Sequence, residues 1–387
     1  MALPIRYNVR NIRVRWQVTI LAIVGIALVV TVFVFLTAMS QGFQIALRAS
    51  GRTDNAIIVQ KGSNSELTSG ISRGNASLMM VDARIARDDD GQPLATGEIL
   101  VVANLKRKVD GGDVNVSVRG VMPKAMKVHG SMRILRGRMF QAGLDEVVVG
   151  ERAAERFGLD VDSLVKIQKH DWKVVGIFSA DGSSFESEIW GDLYTMAEPL
   201  KRSGGYQSIT VRLADPSTLE AFKKTYEDDP QLQAQVASER KFYEDQAGPT
   251  AGALMGLAGF VAVVMGIGAV FGAMNTMYAI VAARTREIGT LRALGFSRRS
   301  ILFSFVTESV FLAIVGGVLG CILALPANGI TSATNGANFS ELAFAFRVTP
   351  FALAIGMAFA VIMGIVGGLL PATRAARLPI TNALRAA

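Results

Sequence analysis

The chain is poor in the residues that most often carry chemistry. Cys321 is the single cysteine among 387 residues and lies in an apolar run, so no disulfide is available to brace a water-facing domain. His129 and His170 are the only histidines, too few for a histidine-rich metal site. Their basic, strand-like neighbours predict that both lie on an exposed surface. Composition therefore argues against a metal-dependent or disulfide-stabilised protein.

Sequence signatures of nucleotide binding and hydrolysis are also missing. No G-x-x-x-x-G-K-[ST] occurs, so these residues contain no P-loop to hold ATP, and residues 181–184 (DGSS) lack the G-x-S-x-G of a nucleophile elbow and are typical of a tight turn. The acids at 88–90 precede a glycine and lack the spaced ligands of an EF-hand, which predicts a solvated turn. We therefore expect no catalytic residue, cofactor or metal ligand in this chain, and a membrane enzyme is the least supported class of function.

Long apolar runs dominate what is present. Four of them occupy residues 18–39, 252–283, 301–325 and 351–370, and each has the length of about 20 residues needed to cross ~30 Å of hydrocarbon. A cleaved signal peptide is the alternative for the first run, which follows four arginines (Arg6, Arg10, Arg13 and Arg15). Its apolar core is longer than the ~7–15 residues of a signal peptide, so we expect a retained helix.

The distribution of charge predicts the orientation. The net charge is +8, yet the insert at 40–250 carries 27 basic and 29 acidic residues, so the remainder of the chain holds the excess. That excess falls on three short segments: the N-terminus, 284–300 and the tail. By the positive-inside rule these segments are cytoplasmic, with the insert and the 326–350 loop outside. The basic composition is thus assigned to membrane topology, and no nucleic-acid partner is expected.

The predicted fold is an all-α membrane part of four helices, with both termini inside, and a large α+β domain inserted between helices 1 and 2. Strands are expected at 55–60 and 207–213, hairpins around Gly111-Gly112 and within 164–178, and a helix that starts at Asp215, whereas 62–80 is expected to be loop at least in part. In one interpretation helices 1 and 2 continue above the bilayer as a stalk. In the other, the segments next to these helices are loose juxtamembrane linkers. The predicted segments, in chain order, are a cytoplasmic N-terminal segment (1–17), helix 1 with its stalk (18–50), the outer α+β domain (51–236), the second stalk with helix 2 (237–283), a cytoplasmic loop with a short helix (284–300), helix 3 (301–326), an outer loop (327–350), helix 4 (351–371) and a cytoplasmic tail (372–387).

Small residues and one acid stand out within the apolar runs. Glycines at helix-packing intervals let helix backbones approach closely. The glycines assigned to helix packing are Gly252, Gly256, Gly259, Gly266, Gly316 and Gly320. Glu308 is the only acid in the four runs, and we expect it to pair with an arginine or to face another helix in a structural or coupling role. No continuous polar stripe predicts a water-lined pore.

The short segment REIGTLRALG, residues 286–295, lies between the second and third runs. Ile288, Leu291 and Leu294 form one apolar edge of a short helix that Gly295 can end. Arg286, Glu287 and Arg292 are then available to a partner. Such a helix lies on lipid headgroups or docks into a groove of a cytoplasmic protein, and composition does not choose between them.

The stretch ARTREIGTLRALGFSRRSILFSFVTESVFLAIVGGVLG resembles the permease domain of FtsX/MacB-type ABC transporters. The tail PATRAARLPITNALR is similar to the ending of that family. GRMFQAGLDEVVVGERAAERFGL, together with WKVVGIF, resembles the family's periplasmic core domain. These similarities cover most of the chain.

The resemblance implies a transmembrane subunit of a MacB-like transporter in the bacterial inner membrane, with the large domain in the periplasm. It implies a dimer, expected to be a homodimer, that carries two copies of a separate cytoplasmic ATPase, where ATP and Mg²⁺ would bind. Residues 286–295 would be the coupling helix, and ATP-driven motion would reach the outer domain by mechanotransmission during export. A periplasmic adaptor and a second, non-identical permease remain open. A lipoprotein-release permease and a membrane-anchored envelope sensor without cargo are the alternative functions.

Overall fold

In the computed structural model of the protein, residues 16–130, 132–335 and 341–379 are described. The predicted N-terminal segment up to residue 15, the middle of the 327–350 loop and the tail beyond 379 lie outside the described residues. The chain divides into two compact units. The sheet domain comprises Gly42–Gly252 and Thr331–Ala345. The helical unit comprises the described residues of the other three segments, Met1–Gln41, Ala253–Ile330 and Phe346–Ala387.

Helices and strands alternate irregularly along the described chain. The helices are α1 (Trp16–Arg48), α2 (Arg73–Met79), α3 (Ala125–His129), α4 (Glu151–Phe157), α5 (Leu193–Ala197), α6 (Leu219–Glu227), α7 (Glu239–Ala283), α8 (Thr285–Ala293), α9 (Arg298–Ala324) and α10 (Pro350–Arg377). The strands up to residue 167 are β1 (Asn55–Gln60), β2 (Ile71–Ser72), β3 (Ala95–Lys106), β4 (Asp113–Val121), β5 (Arg133–Gly137), β6 (Glu146–Gly150) and β7 (Leu164–Ile167). The later strands are β8 (His170–Ser179), β9 (Glu188–Asp192), β10 (Gly205–Tyr206), β11 (Ser208–Arg212), β12 (Ala234–Ser238), β13 (Thr331–Asn335) and β14 (Glu341–Ala345).

A ten-stranded mixed sheet forms the centre of the sheet domain. Its order is β12-β1-β11-β3-β4-β9-β6-β8-β5, and β7 pairs with β8 off this path. The β4–β9 and β6–β8 pairs are parallel, and the other neighbours are antiparallel. The predicted α+β class is confirmed, as are the β3–β4 and β7–β8 hairpins. Strands such as β6 and β9 are buried along their whole length, because elements cover both faces of the sheet at its centre.

Local sequence signals explain several helix ends. Asp215 accepts a hydrogen bond from the amide of Ser217 at 2.9 Å and caps a 3-10 turn, Pro216–Thr218, that leads directly into α6, so the helical start predicted at Asp215 is confirmed. The segment 62–80 is loop in part, as expected, but it also contains a helix. Ser72 accepts from the amide of Asn75 at 3.2 Å and begins α2, whose Ala76 and Met79 are buried in the domain core. A Gly/Ser-rich composition had concealed this short capped helix.

The segment between α9 and α10 contributes a hairpin, β13–β14, to the sheet domain. The amide of Ala343 donates to Ser187 Oγ at 3.0 Å, and its carbonyl accepts from Arg152 Nη1 at 2.8 Å. The Phe344 ring meets Phe43 edge to face with centroids 5.6 Å apart. Part of the segment expected to be a loop therefore completes the core of the sheet domain.

Within the described residues, four helices are long and apolar enough to cross a membrane: Thr19–Arg48, Glu239–Ala283, Arg298–Ala327 and Pro350–Arg377. Contacts among α1, α9 and α10 are close, because small residues stand where the backbones meet. Ser309 Oγ on α9 donates to the Gly364 carbonyl on α10 at 2.7 Å. A Cβ on Gly320 would lie 2.6 Å from the Ala27 carbonyl oxygen of α1.

Candidate docking helix and buried charge cluster

The segment REIGTLRALG forms the short helix α8, which follows α7 after a single non-helical residue, Arg284. Gly295 adopts φ +94°, a left-handed conformation that glycine tolerates best, and the chain turns there before Ser297 caps α9. The amphipathic helix and its glycine stop are therefore present as predicted. Whether α8 docks a partner is a separate question, which depends on its side chains.

The predicted apolar edge of α8 is divided between two environments. Ile288 is 2% exposed and belongs to an apolar cluster with residues of α7, α9 and α10. Leu291 is half-buried, whereas Leu294 is 73% exposed. Arg286 and Glu287 are exposed and Arg292 is half-buried. One side of α8 thus anchors it to its own chain, while charged side chains are exposed at its start and an apolar side chain is exposed at its end.

Glu308 faces the start of α8. Arg284 Nη1 donates to Glu308 Oε2 at 3.0 Å, and the Glu308 side chain is 3% exposed. The sequence singled out Glu308 as an acid in an apolar run, but the run of arginines after α7 offered several partners. Only the tertiary structure identifies Arg284 among them.

The six glycines assigned to helix packing fall into two groups. Cβ atoms on Gly266, Gly316 and Gly320 would meet Phe359, Ile26 and Val30, respectively, on neighbouring helices. Among the described residues, Cβ atoms on Gly252, Gly256 and Gly259 would meet nothing within 4 Å. The first group packs helices of one chain. The second lies on an open face of α7.

A buried charge cluster in the sheet domain was not foreseen from the sequence. Arg119 on β4 is completely enclosed, and its guanidinium bonds three carboxylates. Nη1 donates to Glu66 and to Glu98 at 2.7 Å each, and Nε donates to Glu188 at 2.7 Å. The members of the charge cluster are Glu66, Glu98, Arg119, His129, Glu188 and Glu239.

His129 lies between two of these carboxylates, so its predicted surface exposure is wrong. Its side chain is 1% exposed, with Nε2 2.7 Å from Glu98 Oε1 and Nδ1 2.9 Å from Glu239 Oε1. Each nitrogen faces an acceptor, an arrangement that favours the doubly protonated ring. The basic residues around His129 in sequence misled the prediction, because Glu98 and Glu239 come from distant parts of the chain. His170 is 39% exposed, in keeping with its predicted surface position.

Burial and charge oppose each other in setting the pKa values of the cluster. Burial lowers the pKa of His129, but the Glu98 and Glu239 carboxylates outweigh it and raise that pKa to about 10. Burial alone would raise the pKa of Glu98, yet His129 and Arg119 hold it below its usual value. Burial raises the pKa of Glu188, despite its bond to Arg119. The cluster therefore holds a charged His129 and Glu98 at neutral pH.

Glu239 connects this cluster to the first turn of α7. Its Oε2 accepts hydrogen bonds from the Arg52 amide and from Asn55 Nδ2, both at 2.9 Å. Tyr243, one turn further along α7, donates to Glu66 Oε2 at 3.4 Å. The residues that follow α1 and those that begin α7 are thus tied to one buried set of charges inside the sheet domain. The arrangement suits mechanical attachment, since every carboxylate in it has a donor.

No group of three or more His, Cys, Asp or Glu side chains suited to holding a metal ion occurs among residues 16–130, 132–335 and 341–379. The charge cluster has arginine at its centre, which is incompatible with a cation site. Within the described chain, the geometry supports attachment and docking rather than a reaction.

Comparison with protein families accounts for both units. A model of the MacB-like periplasmic core domain matches residues 19–228, and a model of the FtsX-like permease C-terminal region matches residues 259–380. The chain is thus a membrane-associated permease component by class. It belongs to the family of FtsX/MacB-type ABC transporter permeases, as its sequence resemblance had indicated.

Curated relatives include exporters with both ATP-binding and permease functions in their names. The macrolide export ATP-binding/permease protein MacB of Bordetella avium is 27% identical over 96% of this chain and 58% of its own length. The pyoverdine export ATP-binding/permease protein PvdT of Pseudomonas fluorescens is 29% identical over 62% of this chain and 38% of its own. The chain therefore spans between about a third and three fifths of these relatives. The periplasmic region of MacB from Actinobacillus actinomycetemcomitans aligns with 50% of this chain and 92% of its own at 13% identity and a TM-score of 0.39.

Proposed function

We propose that this chain is the transmembrane subunit of a MacB-like exporter, which couples ATP hydrolysis on a partner ATPase to conformational change in the sheet domain. ATP and Mg²⁺ bind the partner in this scheme. The observation that carries the proposal is α8: Arg286 and Glu287 are exposed in its first turn and Leu294, which directly follows it, is 73% exposed, all within the region matched by the FtsX-like permease model. Apolar anchors ringed by charge are typical of docking surfaces.

Topology is the second element of the proposal. The four long apolar helices cross the inner membrane, α8 lies in the cytoplasm, and the sheet domain lies in the periplasm. Support comes from the five arginines in 284–299, which contrast with the near balance of charge in 40–250. The helices carry no continuous polar stripe. Mechanotransmission without passage of cargo through the helices is therefore the mode of action we propose.

A second copy of the chain completes the transporter in this proposal. In the most apolar window of α7 only 17% of residues are buried, against 33–39% in the other three long helices. Gly252, Gly256 and Gly259 lie on the open face of α7, where small residues allow another backbone to approach. These features support a dimer that packs through α7, with one ATPase bound to each copy.

The docking of an ATPase at α8 can be tested by substitution of its exposed residues. The chain is co-expressed with a candidate ABC ATPase and purified from membranes, and ATPase retention is compared with that of Arg286→Glu, Arg292→Glu and Leu294→Asp variants. We expect each substitution to weaken retention by roughly tenfold or more, the usual effect of removing an interface anchor worth over 1.4 kcal/mol.

Arg133→Glu in the sheet domain is the matched control, because Arg133 is an exposed arginine paired with an exposed Asp181. This control should retain the ATPase as the unmodified chain does. Normal ATPase retention by all three α8 variants, with normal stimulation of hydrolysis, would contradict the docking assignment. If the unmodified chain does not retain the ATPase, the proposed function itself is contradicted.

A further inference from the structure

Arg284 occupies the corner at which α7 ends and α8 begins. Its backbone is non-helical, with φ −109° and ψ 14°, and its carbonyl accepts a hydrogen bond from the Ile288 amide at 2.9 Å. Its side chain is only 12% exposed, although arginines in such short connections usually extend into water. The chain therefore changes direction between α7 and α8 at a residue whose guanidinium is buried.

That guanidinium is held chiefly by α9. Nη1 bonds Glu308 at 3.0 Å, and the guanidinium carbon lies 5.1 Å from the centre of the Phe305 ring. Glu308 and Phe305 are three residues apart, so they lie on the same side of the helix. A third contact runs from Nε to Glu287 of α8 at 3.3 Å, where the carboxylate is half exposed.

The surroundings of the pair are apolar. Ile288, Ile301 and Phe305 belong to one buried cluster, which also includes residues of α7 and α10. Water cannot replace a lost partner in such a site, so removal of either charge leaves the other buried and unpaired. The geometry of a charge-assisted hydrogen bond is also directional, which apolar packing alone is not.

We propose that Arg284 and Glu308 form a joint that fixes the angle between α8 and α9, so that force applied to α8 moves α9 with it. The inference rests on the proposed function in one respect, namely that the force comes from a docked ATPase. The pair then acts as positioning residues: they touch neither nucleotide nor cargo. This role explains why an otherwise apolar helix contains Glu308.

Spin-label distances can measure the joint directly. Thr290→Cys on α8 and Phe303→Cys on α9 both replace exposed side chains, and Cys321→Ala removes the native thiol. We expect one narrow distance distribution in the full chain in lipid nanodiscs. Glu308→Gln and Arg284→Gln should each broaden it, whereas Glu287→Gln, which removes only the half-exposed contact, should leave it narrow.

A double variant without either charge distinguishes the proposed joint from a purely structural role of the ion pair. Arg284→Met with Glu308→Met leaves no unpaired charge, and such replacements of buried ion pairs often fold as well as the original. We expect this double variant to insert, fold and bind the ATPase. Its spin-label distance distribution should nevertheless be as broad as in the single variants. Its permease-dependent ATPase rate should fall by roughly fivefold or more, within the usual range of allosteric couplings.

Two results would overturn the joint: a narrow distribution in the double variant, or full ATPase coupling in that variant. Failure of the unmodified chain to bind any ATPase would instead count against the proposed function, and the label distances would still decide whether the joint exists. If the single variants fail to insert, the double variant and Glu287→Gln remain informative, because neither buries an unpaired charge. The two inferences therefore fail separately.

Discussion

His129 holds together two carboxylates that are far apart in the chain. With the ring protonated, its one positive charge is shared between the Glu98 and Glu239 carboxylates, and with the ring neutral both carboxylates stay buried without that charge. Because both N–H donors of the imidazolium have a carboxylate acceptor, the protonated form is the one that stabilises the fold. The ionisation of a single residue thus controls how firmly the first turn of α7 is attached.

This arrangement predicts how stability depends on pH. The pKa of His129 is raised to about 10 in the folded protein, above the 6.5 of an ordinary histidine, so its stabilisation is fully present below about pH 6.5 and is lost as the pH rises through about 10. His129→Gln should therefore lower the free energy of unfolding most at pH 6 and least near pH 10. Chemical unfolding followed by tryptophan fluorescence, at a series of pH values, measures the difference.

His170→Gln is the control for that experiment, because the His170 ring is 39% exposed. Its unfolding curve should match that of the unmodified chain at each pH. A His129→Gln penalty that stays constant from pH 6 to pH 10 would show that the buried ring is not charged. At acidic pH the lowered pKa of Glu98 predicts a separate loss of stability, as its carboxylate is protonated below its usual 4.5.

At the scale of elements, glycines in the long helices separate into contact positions and open positions. Gly320→Ala would bring a methyl group within 2.8 Å of Val30 Cβ and closer still to the Ala27 carbonyl oxygen. We expect a loss of about 1–3 kcal/mol, the usual cost of overpacking a tight contact. Denaturant titration of the helical signal in detergent micelles measures it.

Gly25→Ala provides the matched comparison on α1. No described atom lies within 4 Å of the added methyl group, and alanine favours helix by up to about 1 kcal/mol over glycine. This variant should be as stable as the unmodified chain or more stable. Equal destabilisation by both substitutions would mean that the Gly320 contact is not tighter than the surroundings of Gly25.

Elements were more predictable from sequence than their partners. Run length located the four long helices, alternating apolar residues located β1 and the two hairpins, and Asp215 located the 3-10 turn that leads into α6. Sheet order was out of reach, because β4 pairs with β9 across some 70 residues. For the same reason the charge cluster escaped notice: Glu66, Glu98 and Glu188 each look like an ordinary surface acid until the strands are assembled. Arg284 was one of five arginines, and only packing distinguishes it.

At the scale of the whole molecule, charge asymmetry predicts which segments share a compartment. Val109, at the tip of the β3–β4 hairpin, is 89% exposed, and Thr290 on α8 is also exposed. In a Cys321→Ala background, we expect Val109→Cys to react with a membrane-impermeant maleimide in intact spheroplasts. Thr290→Cys should react only after the membrane is permeabilised, since the positive-inside rule assigns 284–300 to the cytoplasm.

Labelling of both cysteines from the same side would refute the proposed topology, and with it the docking of a cytoplasmic ATPase at α8. Labelling of Thr290→Cys but not of Val109→Cys in intact spheroplasts would show that the topology is the reverse of the one proposed. Cysteine at Ser203, another exposed position of the sheet domain, is a control that should behave as Val109→Cys does.

The β13–β14 hairpin has a consequence for biogenesis. Ala343 and Phe344 fill positions beside Ser187 and Phe43 in the sheet domain, but the ribosome reaches them only after it has made α7, α8 and α9. Part of the interior of the sheet domain consequently stays exposed while these three helices are synthesised. Its final closure is tied to the synthesis of the third long helix, so a chain arrested before that point presents an unfinished surface to quality-control proteases.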